Sequence, residues 1–297
     1  MLEFNTVKLD DIDWYNAILA KANEVSPLIT LDAPFGGNYL WAHYYGTKIC
    51  RFGDFILKGY FDGDGSASFT FPIGVGDVDK ALAALKNYAD EHGFPLCFGG
   101  LTRPQAEYIN SLFGGLALSE NRDFAEYIYE TEKLATLAGR KLHSKRNHLN
   151  RFEASYKFSF EPIDESNKAD ALAVARQWSK ASNSDESIDE ESCAIKNALE
   201  NFELLNFRGA VLRIDGKPVA MTMGEPISRR AFVTHFEKAV DGYEGLYVAV
   251  NCYFARTLTQ FELINREEDM GIEGLRRAKL SYKPSILLEQ LEARVES

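Results

Sequence analysis

Two stretches of this chain run through nearly the same order of elements, and that order narrows the fold more than any single motif does. In the first stretch, Thr47 to Phe52, Phe55 to Tyr60 and Ser66 to Ile73 read as strands. Gly53-Asp54 and Asp62-Gly63-Asp64-Gly65 separate them, and such residues supply the positive φ that tight hairpins need. Asp77 to His92 then sets Val78, Ala81, Leu82 and Leu85 at helical spacing, with Asp77 as N-cap. Pro95 to Phe98, Arg103 to Phe113 and Phe124 to Glu130 follow as strand, helix and strand, and Asp10 to Lys21 precedes the series as a helix capped by Asp10 or Asp11.

In the second stretch, Lys168 to Ala181 and Asp189 to Phe202 read as helices. Gly209 to Ile214 and Val219 to Glu225 are strands joined by Asp215-Gly216, and Arg230 to Phe236 is a third. Leu246 to Thr259 is helical, with Tyr247, Val250, Phe254 and Leu258 on one face; Leu263-Ile264 and Ile272 to Ser281 complete the order as short strand and short helix. The reading is an α/β (α+β) protein of two tandem domains, 1–153 and 154–297, each a mixed, mostly antiparallel sheet flanked by helices. A basic linker helix at 139–153 joins them. The halves share no evident sequence identity.

Composition excludes several classes. With 44 acidic and 33 basic residues, the 297-residue chain carries a net charge of -11. A polyanion must therefore find a local basic patch. No apolar run reaches the roughly 18 residues that span a bilayer. Met1-Leu2-Glu3-Phe4 does not open a secretory leader. Cys50, Cys97, Cys193 and Cys252 are scattered, and neither C-x-x-C nor H-E-x-x-H occurs, so no metal site is expected and the thiols read as reduced core residues. The expected location is the cytoplasm.

Three segments can carry chemistry. Ala138 to Phe152 holds five Lys or Arg, two His and no acid. On a wheel of roughly 100° per residue, Leu142, Leu149 and Phe152 share one face and Arg146 falls close to it. Arg146 should then be partly buried, meeting a carboxylate of Glu267, Glu268 or Asp269 or a bound phosphate, while Arg140 faces solvent. Lys141, Lys145 and His148 form a neighbouring stripe suited to phosphate or carboxylate groups. In the second segment, Asn265 to Pro284, the acids Glu267, Glu268 and Asp269 precede Arg276, Lys279 and Lys283, which line one helical side. Such an arrangement can orient an ammonium and an anion together, and is also what a self-satisfied surface network looks like. In the third, strand alternation puts His235 and Glu237 on one face, as a general base and its orienter. Gly242 and Gly245 then open a helix whose free N–H groups favour an anion, although Asp241 and Glu244 oppose one.

Leu142-His143-Ser144-Lys145-Arg146-Asn147-His148-Leu149-Asn150-Arg151-Phe152 resembles the basic signature of a family of bacterial proteins related to the C-terminal catalytic region of phosphatidylglycerol lysyltransferases. Glu237-Lys238-Ala239 and Asn265 to Gly271 through Lys279 to Pro284 resemble its other two signatures. The resemblance implies two tandem acetyltransferase-like (GNAT) folds, as in peptidoglycan aminoacyltransferases, and the transfer of an aminoacyl group from tRNA to a lipid or peptide amine or hydroxyl. A membrane flippase region, present in the lysyltransferases, is not expected from these residues, and the strict acetyl-CoA loop does not follow the Arg230–Phe236 strand.

On this basis the chain is expected to transfer an acyl or aminoacyl group, from acyl-CoA or aminoacyl-tRNA, by direct attack of an amine or hydroxyl. Glu237 or His235 is the expected base and Tyr282 the acid for the leaving group. Lys141, Lys145, Arg146, His148, Lys238, Arg276 and Lys279 are expected to hold the anionic donor, and Arg266, Glu267 and Asp269 to orient the acceptor or brace its loop. The contrasting expectation is a non-catalytic binding or regulatory module that keeps the fold and an anion-binding cleft.

Overall fold

The computed structural model describes residues 2–63, 65–181 and 186–295. Met1 of the leader reading and Asp64 of the expected Asp62–Gly65 turn lie outside them. Compactness divides the chain into two units: one runs through Glu126 and takes in Glu268–Ile272 and the chain from Leu287, the other comprises Tyr127–Glu267 and Glu273–Ile286.

The first unit begins with β1 (Asn5–Thr6), α1 (Ile12–Val25), α2 (Phe35–Leu40), β2 (Thr47–Phe52) and β3 (Phe55–Phe61). β2 and β3 form the expected hairpin, with Gly53 at φ 59 in its turn. The expected strand Ser66–Ile73 is in fact two, β4 (Ala67–Phe69) and β5 (Ile73–Gly74), because Pro72 cannot donate to a ladder. α3 (Val78–His92) follows, and the Asp77 side chain accepts from the Lys80 N–H as the expected N-cap. β6 (Cys97–Leu101) runs parallel to β4 through Phe69 and Phe98, so α3 is a crossover helix. α4 (Arg103–Phe113) and β7 (Leu116–Glu120) complete this stretch. Phe69, Leu82, Leu85, Phe98 and Leu101 fill the core with α3.

The second unit comprises β8 (Glu126–Glu130), α5 (Thr131–Thr136), α6 (His143–Ser155), β9 (Phe158–Pro162), α7 (Lys168–Ala181) and α8 (Glu186–Glu200). It continues through the antiparallel β10 (Arg208–Ile214), β11 (Lys217–Pro226) and β12 (Ala231–Ala239). α9 (Leu246–Thr257) crosses over to β13 (Leu263–Asn265), parallel to β12, and α10 (Glu273–Ser281) leads to β14 (Ile286–Leu288). The last strand, β15 (Leu291–Val295), joins the first sheet.

The sheet orders are β1-β2-β3-β4-β6-β15-β7 and β14-β8-β13-β12-β11-β10-β9. β15 lies between β6 and β7; β8 lies between β13 and β14. β8 follows β7 in sequence and β15 follows β14, so each sheet receives an inner strand from the chain leaving the other sheet's last strand. This exchange moves the division away from the expected 153/154, which falls inside the second unit. Nor is α6 a linker: Leu149 and Phe152 are buried with Leu246 and Ala249 of α9 in the second core. Gly245 makes the approach feasible. At φ 81, its missing Cβ would stand 2.7 Å from the His148 carbonyl oxygen.

Candidate functional site

β12 does not alternate regularly. Its register with β11 runs from Phe236 opposite Met223 to Thr234 opposite Gly224, skipping His235. Such a bulge resets which side chains share a face. Gly224 is required there, since a Cβ would come within 1.9 Å of the Val233 carbonyl oxygen. The expected His235–Glu237 pair is thereby divided. Glu237 reaches Asn251 on α9, and His235 finds other partners.

His235 Nε2 lies 2.9 Å from a Glu225 carboxylate oxygen and Nδ1 lies 2.7 Å from one of Glu267, with Phe207 stacked on the ring. Burial pulls its pKa down, but the hydrogen bonds and charges of Glu225 and Glu267 outweigh burial and hold it up at about 10. At neutral pH it is an imidazolium with both N–H groups engaged, which corrects the reading of His235 as a base. Its place is to tie β11, β12 and the turn after β13 together.

The cluster around Glu237 is of another kind. Arg266 Nη2 donates to Glu237 Oε1 at 2.8 Å, and the two side chains are 13% and 12% exposed. Asn251 Nδ2 donates to Glu237 Oε2 at 3.2 Å. The Arg266 backbone is clamped: its N–H donates to the Tyr127 carbonyl, and its own carbonyl accepts from Lys279 Nζ at 2.6 Å. Tyr129 in turn donates to the Lys279 carbonyl. The guanidinium lies 5.1 Å from the Tyr282 ring centre, and Lys145 Nζ stands 4.2 Å over the same ring. Burial, helped by the Arg266 charge and opposed by Glu237, lowers the pKa of Lys145. Burial raises that of Tyr282 despite Arg266, so the phenol stays protonated. Neither Lys145 Nζ nor the Tyr282 hydroxyl makes a hydrogen bond among the described residues. Three buried atoms also stand without a partner there: Arg266 Nη1, Asn251 Oδ1 and Thr222 Oγ1. Thr222 faces Glu237 across the β11–β12 ladder.

A carboxylate, a guanidinium, an ammonium and a neutral phenol thus share one cluster. Of the expected site residues, Glu237, Arg266, Lys145 and Tyr282 come together. Lys279 is buried beside them, and its ammonium donates to the Arg266 carbonyl. Arg146 is half-buried as expected, but donates to the backbone carbonyls of Leu137 and Gly139 and not to a carboxylate. Lys238 pairs with Glu191 at 2.7 Å and stands 3.6 Å over Trp178, apart from the Glu237 cluster's own bonds. Glu267 holds His235. Asp269, fully buried in the first unit, pairs with Arg122. His148 lies 3.9 Å from Glu244, Lys141 is exposed, and Arg276 is half-exposed. Asn251, Thr222 and Tyr129 are additions the sequence reading did not make. The one signal for Asn251 is a polar residue inside the apolar run Val248–Ala255.

Among the described residues, no helix is long and apolar enough to cross a membrane, and no group of three or more His, Cys, Asp or Glu could hold a metal.

The family profile described as "Phosphatidylglycerol lysyltransferase, C-terminal" matches residues 28–291. A solved protein of unknown function from Bacteroides thetaiotaomicron is similar at 33% identity and a TM-score of 0.90, with all of both chains covered. The L-PGS structure from Bacillus licheniformis is similar at 17% identity and a TM-score of 0.66, over 93% of this chain and 90% of that one. A tandem GNAT protein from the clavulanic acid biosynthesis pathway shares the fold at 11% identity and a TM-score of 0.51, over 100% of this chain and 99% of that one. An uncharacterised protein of Mycoplasmoides gallisepticum is 24% identical over 205 residues, which span 66% of this chain and 63% of that protein's length. The chain carries the tandem GNAT-like acyltransferase fold and belongs to the phosphatidylglycerol lysyltransferase C-terminal family.

Proposed function

We propose that this protein transfers an aminoacyl group to an amine or hydroxyl, with Glu237 and Arg266 at the reaction centre. One observation carries the reading: three signatures far apart in sequence meet in one cluster, through Lys145 of the basic segment, Glu237 of the second, and Arg266 and Tyr282 of the third. Acyl transfer by direct attack needs a proton acceptor, donors for the tetrahedral oxyanion, and an acid for the leaving oxygen. A carboxylate has about four lone-pair sites, so Glu237 can still accept a proton beside its bonds from Arg266 and Asn251. Arg266 Nη1 and Lys145 supply positive charge for the oxyanion. Tyr282, kept protonated by burial, donates to the leaving oxygen.

The donor reading favours aminoacyl-tRNA over acyl-CoA. A pyrophosphate needs the free N–H groups at a helix N-terminus. At α9 the backbone of α6 passes against Gly245. Glu244 adds a carboxylate there, held 3.1 Å from Arg151. The exposed Arg140 and Lys141 offer the local basic surface a tRNA needs. The acceptor is a lipid or a peptide amine or hydroxyl, as in the related enzymes.

The test is transfer of a radiolabelled aminoacyl group from charged tRNA to phosphatidylglycerol vesicles or amine-bearing peptides, with acyl-CoA as the alternative donor. Product formation that falls at least a hundredfold in Glu237→Gln supports the reading. Tight donor binding with no product from any donor would support a non-catalytic module and defeat it.

A further inference from the structure

We infer that the first unit carries a ligand site of its own, a recess at Gly100 that takes a small primary ammonium group between the Asp32 carboxylate and the Gln290 amide oxygen. The site stands apart from the proposed transfer, and its residues all belong to the first unit.

The backbone makes the room. The register of β6 with β15 runs from Leu101 opposite Leu291 to Phe98 opposite Ala293, so Gly99 and Gly100 together face Glu292. Such a bulge bends the strand and re-aims what it carries. Gly100 holds φ 65, and a Cβ on it would stand 2.7 Å from Asp32 Oδ2 and 3.8 Å from Gln290 Oε1. Glycine thus leaves two oxygens facing one point. Asp32 lies on the loop between α1 and α2 with its side chain 25% exposed, and Gly100 is half-buried, so the recess reaches solvent.

Both oxygens are unspent. The other Asp32 oxygen, Oδ1, accepts from Lys58 Nζ and from the Tyr60 hydroxyl, each at 2.8 Å. Lys58 is 1% exposed and gives its remaining protons to the Asp32 carbonyl and to Asn38 Oδ1. Those three bonds use all the protons of an ammonium. Burial and the Asp32 charge raise the pKa of Tyr60, so the phenol keeps the proton it donates. On the other side, Gln290 is 8% exposed, and its Nε2 donates to Glu126 Oε1 at 2.5 Å, which sets the orientation of the amide. Glu126 is held in turn by the Leu31 N–H at 2.9 Å. Neither Asp32 Oδ2 nor Gln290 Oε1 has a hydrogen-bond partner among the described residues. A side chain this buried seldom leaves an acceptor idle, and donation to a carboxylate strengthens the acceptor at the other end of the same amide.

The chemistry of the guest follows from these atoms. Asp32 and Gln290 present acceptors, while the donors beside Asp32, Lys58 and Tyr60, are committed. An anion would meet a carboxylate and gain no proton from it. A hydroxyl brings one proton for two oxygens. A primary ammonium brings three, two for the oxygens and one for water at the open side. A quaternary ammonium has the same charge and no proton to give, so the recess should refuse it.

The experiment titrates the isotope-labelled whole protein with ethanolamine and with choline, which differ in the N-methyl groups. It is read from the amide resonances of Asp32, Gly100, Leu101 and the Gln290 side chain. Ethanolamine should shift these resonances, and choline should bind at least about tenfold more weakly, the effect of losing one hydrogen bond to a charged group. Gln290→Met keeps the side-chain length and removes Oε1, so it should bind ethanolamine several-fold more weakly, with melting used to check that it folds. Vesicles of phosphatidylcholine with and without phosphatidylethanolamine separate a lipid headgroup from a free amine. Co-sedimentation only with the ethanolamine lipid would assign the same recess to a headgroup. The wild-type titration decides even if the variant does not fold. Shifts that spare Asp32, Gly100 and Gln290, an equal response to ethanolamine and choline, or no response to ethanolamine either free or in vesicles would overturn the inference.

Discussion

In the first unit, the strand before the crossover, the crossover helix and the strand after it meet through Phe69, Leu82, Leu85 and Leu101. In the second, the same three places hold Glu237 on β12, Asn251 on α9 and Arg266 just past β13. The element order is shared, down to the inner strand each sheet takes from the other's trailing chain. What differs is the filling. An all-apolar core is the cheaper way to join a sheet to a helix, because a buried ion pair must recover the desolvation of both charges. The first unit has buried pairs of its own, Lys58 with Asp32 and Asp269 with Arg122, but neither joins its crossover helix to the sheet. A pair kept at that junction in the second unit fits the proposed use of the second unit for chemistry.

The exchange of strands gives the largest expected effect. Deleting the chain from Glu289 removes β15, which pairs with both β6 and β7 and buries Leu291 and Ala293. Hydrogen exchange should show protection lost across β6, α4 and β7 and kept in β10, β11 and β12. Collapse of both sets would break the comparison of two separately cored units.

A second prediction turns one unit's filling into the other's. Glu237→Leu alone leaves the Arg266 charge buried without its partner and should cost about 3–5 kcal/mol. Glu237→Leu with Arg266→Met copies the first unit's apolar solution and should return to within about 1 kcal/mol of the parent, or exceed it. Neither should transfer. Thermal melting and the transfer assay together check this. A double variant as unstable as the single one would mean that the pair is structural after all.

The units should also part on the alkaline side. His235 has a folded pKa of about 10 against 6.5 when unperturbed, so its contribution to stability is complete below pH 6.5 and fades as pH rises through 10. In the first unit, His43 and His92 are exposed. Raising the pH from 7 to 9.5 should therefore loosen β11, β12 and the turn after β13, seen as faster hydrogen exchange after correction for intrinsic rates. In His235→Gln that extra pH dependence should vanish. An equal alkaline response in variant and parent would remove His235 as its cause.

How much of this was legible in the sequence follows from the range of the forces involved. α4 and α7 lie where periodicity placed them, and Asp77 caps α3 as expected, because these features depend on neighbours within a few residues. β9, β14 and β15 were not read, since short strands are defined by partners far along the chain. The face of Glu237 was misread because alternation assumes a regular ladder, and the bulge at His235 follows from tertiary packing around Gly224. Asn251 passed as one polar residue in an apolar helix; only the fold brings it to Glu237.

Arg146 shows the same division and gives the smallest effect. The helical wheel placed it toward the interior, and it is half-buried there. Its partners are the carbonyls of Leu137 and Gly139, which no side-chain pattern can announce. They close the turn after α5, where Leu137 holds φ 51 and Gly139 φ 89. Arg146→Ala would leave those carbonyls to water where water can reach and unpaired where it cannot. A charged hydrogen bond is worth about 1.5–3 kcal/mol when buried, and partial exposure brings the expected loss to about 1–2 kcal/mol. Arg140 is exposed, so Arg140→Ala should stay within roughly 0.5 kcal/mol of the parent. Because Arg146 contacts backbone and not the Glu237 cluster, its loss should lower the melting temperature without changing donor affinity. If affinity falls while melting does not, Arg146 belongs to the binding site together with Lys145, and the division between bracing and binding cations drawn for the second unit must be redrawn.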